Sequence, residues 1–193
     1  MEQIVIIGNG VAAVSAMEAF RERDKSTPII VISEEPYLAY HRTRLSGFLG
    51  SDTNIEKLLL HPPNWYEEKN IHIRHDKKVT SIDNMNKLVT LDKGERLNFS
   101  KLLICTGSSA FVPAIPGADL PGVFSIRTLD DIKNFYEFCK DKTNGVIIGG
   151  GVLGLEAAWA LVNQGKKITI IERSSYILRK QLNKTASEIL ASL

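Results

Sequence analysis

The residues best suited to chemistry in this chain are glycines. Gly8 and Gly10 follow the apolar run Ile4 to Ile7, and Gly149, Gly151 and Gly154 follow a second run, Gly145 to Ile148. Each β-branched run reads as a buried parallel strand that ends in a tight turn, and helical spacing resumes beyond it, over Val11 to Phe20 in the first copy. A residue without a side chain at Gly10 or Gly151 lets the main chain approach a pyrophosphate. The unpaired amides at the helix start, around Val11 and Ala12 or Val152 and Leu153, face its charge. Ala13 and Gly154 fill the third small position, where helix packs closely on strand.

An acid at the end of the next strand is suited to the hydroxyls of a ribose. In the first copy the strand is Pro28 to Ile32 and the acid is Glu34, with Glu35 as an adjacent alternative. In the second it is Lys167 to Ile171, closed by Glu172. One such signature arises easily by chance. Two in one chain, each with strand, glycines, helix, strand and acid in order, imply two nucleotides handled together and point to electron transfer between a flavin and a nicotinamide.

Composition permits this and removes rivals. The 193 residues are 44% hydrophobic, and 24 basic against 22 acidic residues leave a net charge of +2. That balance gives no reason to expect a nucleic-acid partner. Cys105 and Cys139 lie far apart in sequence without metal or redox spacing, which suits a reducing, cytoplasmic setting. No apolar stretch reads as a membrane span, and the first strand begins too early for a signal peptide.

The expected fold class is α/β, with tandem Rossmann-like FAD and NAD(P) domains of the three-layer ββα type. Residues 1–111 form the first domain and residues 112–193 the opening part of the second. Between the glycine turns, Asn70 to Asn98 reads as an inserted antiparallel meander with strands Ile71 to Arg74, Val79 to Ile82 and Lys87 to Leu91. Lys101 to Ile104 reads as a return to a buried parallel strand, and the cluster Pro113, Pro116, Gly117, Pro121 and Gly122 as a domain boundary. Trp65 and Tyr66 are expected in the core or on the rim of the first domain. Thr185 to Leu193 reads as an unfinished amphipathic helix with no cap.

The order of GNGVAA, SEEPYLAYHRTRLS, KLLICTGS, PAIPG, VFSIRTLDD and GGGVLGLEAAWAL resembles the pyridine nucleotide-disulfide oxidoreductase superfamily, over nearly the whole chain. The branch it is most similar to holds NADH:rubredoxin oxidoreductases and the flavin-binding end of nitrite reductases. The resemblance implies FAD on Gly8, Gly10, Val11, Ala12 and Ala13, with Glu34 on the adenosine ribose. It implies Tyr40, Arg42, Leu45 and Ser46 beside the flavin, main-chain groups at Val79 on the adenine, and Thr106 with Gly107 where the chain passes the flavin. It places NAD(P)H on Gly149, Gly151, Val152, Leu153, Gly154 and Glu172, with the nicotinamide reaching the flavin across the domain junction. The Glu172 carboxylate would repel a 2′-phosphate, so NADH is expected over NADPH, although Arg173 next to it could pair with that phosphate. Many relatives carry a lysine after the serine, where this chain has Gly47.

Glu156 matches an acid that relatives place near the nicotinamide, and reads equally as a glutamate favoured by the helix dipole. His72 and His75 read as surface residues, and Cys105 as a small buried residue. His41, inside the flavin-side element, reads as outward-pointing, with contact to flavin or substrate as the alternative. Pro36 to Gly50 contains no cysteine, so the thiol relay of disulfide reductases is not expected. Electrons would pass from NADH to flavin and on to rubredoxin, a ferredoxin-like protein or an iron–sulfur and sirohaem centre, with a homodimer as the assembly the resemblance allows. Delivery to oxygen and a non-catalytic nucleotide-binding module are the alternative readings. A doubly wound domain needs roughly 100 to 150 residues. The chain therefore reads as an N-terminal fragment, without the closing strand of the first domain or half of the second.

Overall fold

The computed structural model describes residues 2–49 and 54–192. The chain divides into two compact units: Met1–His41 with Ile55–Ser109, and Arg42–Asn54 with Ala110–Leu193.

The first unit is built on β1 (Ile4–Ile7), which pairs in parallel with β2 (Ile29–Ile32) on one side and β7 (Lys101–Ile104) on the other. Alternation along β1 feeds two cores. Ile4 and Ile6 pack with Ala13, Val14 and Met17 of α1 (Val11–Arg23), while Val5 and Ile7 pack with Val89 and Leu91 of an antiparallel sheet and with Phe99, which follows it. That sheet holds β4 (Val79–Asp83), β5 (Leu88–Leu91) and β6 (Arg96–Asn98). Helix, parallel sheet and antiparallel sheet make three layers. A short helix, α2 (Pro63–Glu68), starts with Pro63 at its first position, as a missing N–H allows, and sends the buried Tyr66 into the α1 side of the core.

Three strand expectations need correction. The run Gly145 to Ile148 is a parallel strand but not a buried one: Ile147 faces Gly154 of the following helix, while Val146 and Ile148 on the opposite face are 62% and 66% exposed. The run Ile71–Arg74 is not part of the meander: it is β3, which pairs in parallel with β2 at the sheet edge. The exposed His72 and Arg74 give an edge strand the same alternation as a meander strand, so periodicity does not separate them. β7 has the expected parallel pairing but not the expected burial, because it ends the sheet on the other side and leaves Ile104 59% exposed.

In the second unit, β8 (Asn144–Ile148) and β9 (Lys167–Ile171) pair in parallel, joined by α4 (Val152–Val162). Ahead of them α3 (Leu129–Cys139) begins in a capping box. Thr128 Oγ1 accepts from the Asp131 N–H, and the Asp131 carboxylate accepts from the Thr128 N–H. The last helix, α5 (Lys184–Ala191), does have an N-terminal cap, since Asn183 Oδ1 accepts from the Ala186 N–H over 2.9 Å. Leu193, expected at its end, lies outside the described residues.

Candidate functional site

The first glycine turn sits where three strand ends meet. The Gly8 N–H donates to Ile32 O over 2.8 Å, and the Cys105 N–H donates to Ile7 O over 2.7 Å. Gly8 has φ +98°, and a Cβ there would stand 2.2 Å from Cys105 O, so this position admits only glycine. Gly10 differs. Nothing lies within 4 Å of the place its Cβ would take, and it opens α1 with an extended backbone and no side-chain cap. No acid stands in the first turn of α1, so its own residues leave the positive end of the helix dipole, at Val11 and Ala12, without a compensating charge. Ala13, fully buried, sets the helix close to the sheet.

Between the two glycines, Asn9 is buried, with Nδ2 donating to Tyr37 O over 3.3 Å and Oδ1 without a partner among the described residues. No local pattern marks this buried amide, because a lone asparagine in a turn has many uses. Of the two acids after β2, Glu35 accepts a 2.6 Å hydrogen bond from the Tyr40 hydroxyl, whereas Glu34 extends outward, 65% exposed and 3.7 Å from Lys78 Nζ. Val79 opens β4, half-buried, and the exposed Thr106 precedes Gly107 at φ +71°. Cys105 is partly buried, and burial pushes its thiol pKa up.

The second turn repeats this plan with a tighter grip. The Gly149 N–H donates to Ile171 O over 2.8 Å, with Gly149 at φ +115°. A Cβ on Gly154 would stand 2.0 Å from Gly149 O, so the third small position, an alanine in the first turn, is here restricted to glycine. Gly151 opens α4 with nothing within 4 Å of its Cβ position and no acid in the first turn. Gly150, which the motif spacing does not single out, is held on both sides. Its N–H donates to Glu172 Oε2 over 2.7 Å, and its carbonyl accepts from the Leu178 N–H over 2.8 Å. Glu172 Oε1 also accepts from the Ser174 N–H over 2.6 Å. These hydrogen bonds, the Ser174 one first, hold its carboxyl pKa down to about 2.

Arg42, Leu45 and Ser46 lie on a 3-10 helix, Arg42–Phe48, in the second unit, whereas Tyr40 belongs to the first. Arg42 Nη1 donates to Arg127 O over 3.1 Å. The Ser46 hydroxyl donates to Glu156 Oε2 over 2.7 Å, and Gln164 Nε2 donates to Leu49 O over 2.6 Å. Glu156 is thus past the first turn of α4 and bonded to a neutral hydroxyl. His41 is exposed, and its N–H donates to Leu58 O in the first unit. His72 and His75 face Asn70 Oδ1 and Glu35 O.

Residues 2–193 match the sequence profile of the pyridine nucleotide-disulphide oxidoreductase family. The chain belongs to that family. It is 38% identical over 182 residues to an NADH-rubredoxin oxidoreductase of Clostridium acetobutylicum, a match covering 94% of this chain and 47% of the relative. It is 36% identical over 190 residues to a nitrite reductase [NAD(P)H] of Bacillus subtilis, covering 98% of this chain and 24% of that one. The crystal structure of the Clostridium acetobutylicum NADH:rubredoxin oxidoreductase superposes with a TM-score of 0.87 at 37% identity, over 98% of this chain and 49% of the other. The chain therefore spans 24% to 49% of the length of these relatives. Its three-layer first unit and parallel β8–α4–β9 second unit are the Rossmann-like architecture of the family.

Proposed function

We propose that this chain carries the nucleotide-binding machinery of an FAD-dependent NAD(P)H oxidoreductase, in which NADH is the favoured donor and a redox protein or metal centre the acceptor. The observation that carries the reading is the double occurrence of one arrangement. In each unit a strand ends in a glycine turn, the helix beyond starts with an open glycine and no acid in its first turn, and an acid follows the second strand. The residues fit a pyrophosphate in both places, since a side chain at Gly10 or Gly151 would fill the space in front of the helix amides.

In the first unit, Gly8, Gly10, Val11, Ala12 and Ala13 would hold the FAD pyrophosphate. Glu34 would take the adenosine ribose, because Glu35 is already engaged by Tyr40. Main-chain groups at Val79 would hold the adenine, with Thr106 and Gly107 beside the flavin. In the second, Gly149, Gly151, Val152, Leu153 and Gly154 would hold the dinucleotide phosphates, Glu172 its ribose and Glu156 the nicotinamide end. Arg42 would face the flavin. The bound cofactors supply hydride transfer from nicotinamide to flavin and the onward release of single electrons. The chain's own part is orientation and electrostatics.

The acceptor follows the relatives' names, rubredoxin or a nitrite reductase centre, and the two free thiols suit a reducing cytoplasmic setting. The test is to purify the complete protein and add NADH without oxygen. Yellow protein that bleaches, then recovers with rubredoxin or another one-electron acceptor, is the expected result. Colourless protein that binds adenine nucleotides without redox change would instead make it a binding module. Recovery only with oxygen would make it an oxidase.

A further inference from the structure

We propose that Gln164 is a positioning residue for flavin reduction, fixing the Arg42–Phe48 3-10 helix on α4, the helix that opens at the second glycine turn. The inference rests on the reading of Arg42 and Ser46 as flavin-side residues and of Gly151 as part of the nicotinamide-nucleotide site.

Buried Leu45 and Leu49 anchor the 3-10 helix, but apolar burial has no direction and does not set which way the polar groups turn. Hydrogen bonds set that. The Ser46 hydroxyl donates to Glu156 Oε2 over 2.7 Å, the Leu49 N–H donates to Ser46 O over 3.3 Å, and Leu49 O accepts from Gln164 Nε2 over 2.6 Å. Gln164 Nε2 also donates to Ala160 O over 2.9 Å. A circuit of hydrogen bonds therefore leaves α4 at Glu156, runs through Ser46 and Leu49, and returns to α4 by way of Gln164 and Ala160. At the other end of the 3-10 helix, Arg42 Nη1 donates to Arg127 O, just ahead of the capping box of α3.

A glutamine suits this place because its amide nitrogen carries two donors. One is spent on the carbonyl of its own helix, which holds the side chain, and the other is thereby aimed at Leu49 O. That carbonyl stands just past the last residue of the 3-10 helix, where helix ends leave acceptors without a partner of their own. Between the two ties lies Gly47, which costs backbone entropy to hold in a helix. Gln164 lies beyond the C-terminal end of α4, whereas the nucleotide is proposed to sit at the N-terminal end. Its effect is therefore on orientation rather than on nucleotide affinity. Reacting groups misplaced by about 1 Å can lose about a hundredfold in rate, so a tie this far from the chemistry has leverage on it.

The test compares Gln164→Leu, which keeps the bulk and loses the donor, with Gln164→Lys, whose ammonium can donate to the same carbonyl, both in the complete flavin-loaded protein. In stopped flow without oxygen, the leucine variant should lower the limiting rate of flavin reduction about tenfold and leave the NADH dissociation constant within about twofold. The lysine variant should return to within about threefold of the wild-type rate. Hydrogen exchange supplies a readout that needs no turnover. Amides of residues 42–49 should exchange about tenfold faster in the leucine variant and near the wild-type rate in the lysine variant, with residues 4–23 unchanged in both. A leucine variant reduced at the wild-type rate would overturn the proposal, as would equal losses in the two variants or a loss confined to NADH affinity. Wild-type protein whose flavin NADH does not reduce would overturn the nicotinamide reading beneath it as well.

Discussion

The Gly150 N–H and the Glu172 carboxylate are joined over 2.7 Å, so the acid that closes β9 braces the glycine turn that follows β8. The acid proposed to read a ribose thus also braces the turn proposed to hold the phosphates. Glu172→Ala therefore removes more than a ribose contact. It should weaken NADH and NADPH alike, roughly tenfold to a hundredfold, because the turn loses its brace whichever nucleotide arrives. Binding titrations with each cofactor check this, and loss of NADH affinity alone would assign Glu172 to the ribose only. The carboxyl is depressed to about 2 from 4.5, so its contribution is complete above its ordinary value and is lost as pH falls through about 2. NADH binding should show no acid limb from this group between pH 5 and 8.

Gly8 and Gly10 separate folding from binding within one motif. Gly8→Ala places a Cβ against Cys105 O at positive φ, and should destabilise the first unit by about 3 kcal/mol or more. Gly10→Val places its Cβ where no atom of the described residues beyond its chain neighbours lies within 4 Å, so its melting temperature should stay within a few degrees of wild type while flavin affinity falls at least a hundredfold. Thermal melts alongside the flavin-to-protein absorbance ratio check both. Flavin retained at full stoichiometry in Gly10→Val would refute the assignment of this turn to FAD.

Much of this architecture is legible in the sequence because its signals are local. The runs Ile4–Ile7 and Lys167–Ile171, the glycines after β1 and β8, and the acids after β2 and β9 all sit where spacing puts them. What spacing misses depends on distant partners. Ile71–Arg74 carries the alternation of a meander strand, and only its pairing with β2 makes it an edge of the parallel sheet. Gly150 looks like a spare glycine until Glu172, 22 residues later, and Leu178 are seen to bond it from both sides. Ser46 meets Glu156 across 110 residues, a contact no local pattern encodes.

Asp24 should make the first unit sensitive to acid. Its carboxylate accepts from the N–H and hydroxyl of Thr27 and from the N–H and hydroxyl of Ser26, which fixes the turn between α1 and β2. Those bonds, led by the Thr27 hydroxyl, hold its pKa below the ordinary 3.8. A depressed carboxyl stabilises the fold above its unfolded pKa and loses that contribution as pH falls through the folded value. The melting-temperature gap between wild type and Asp24→Ala should therefore be constant above about pH 5 and narrow progressively below about pH 4. A gap that does not change down to pH 2 would show that the turn does not depend on the ionised carboxylate.

Arg21 should matter for stability although it touches neither glycine turn. It sits in the last turn of α1, 3% exposed, and its guanidinium donates to four main-chain carbonyls: those of Lys69, Asp24, Thr27 and Asn70. Two of these belong to the link between α1 and β2, and two to the link between α2 and β3, so one side chain ties both approaches to the sheet edge. Its planar fork supplies donors in several directions at once, which an ammonium on a flexible stem does not reproduce. Arg21→Met keeps much of the apolar stem but leaves these carbonyls without their charged donor, at a cost of about 3 kcal/mol. Arg21→Lys should recover only part of it. Denaturant melts of the two variants check the order, with Met below Lys and Lys below wild type. A methionine variant as stable as wild type would mean that water serves the carbonyls equally well and that the arginine does not hold the two links together.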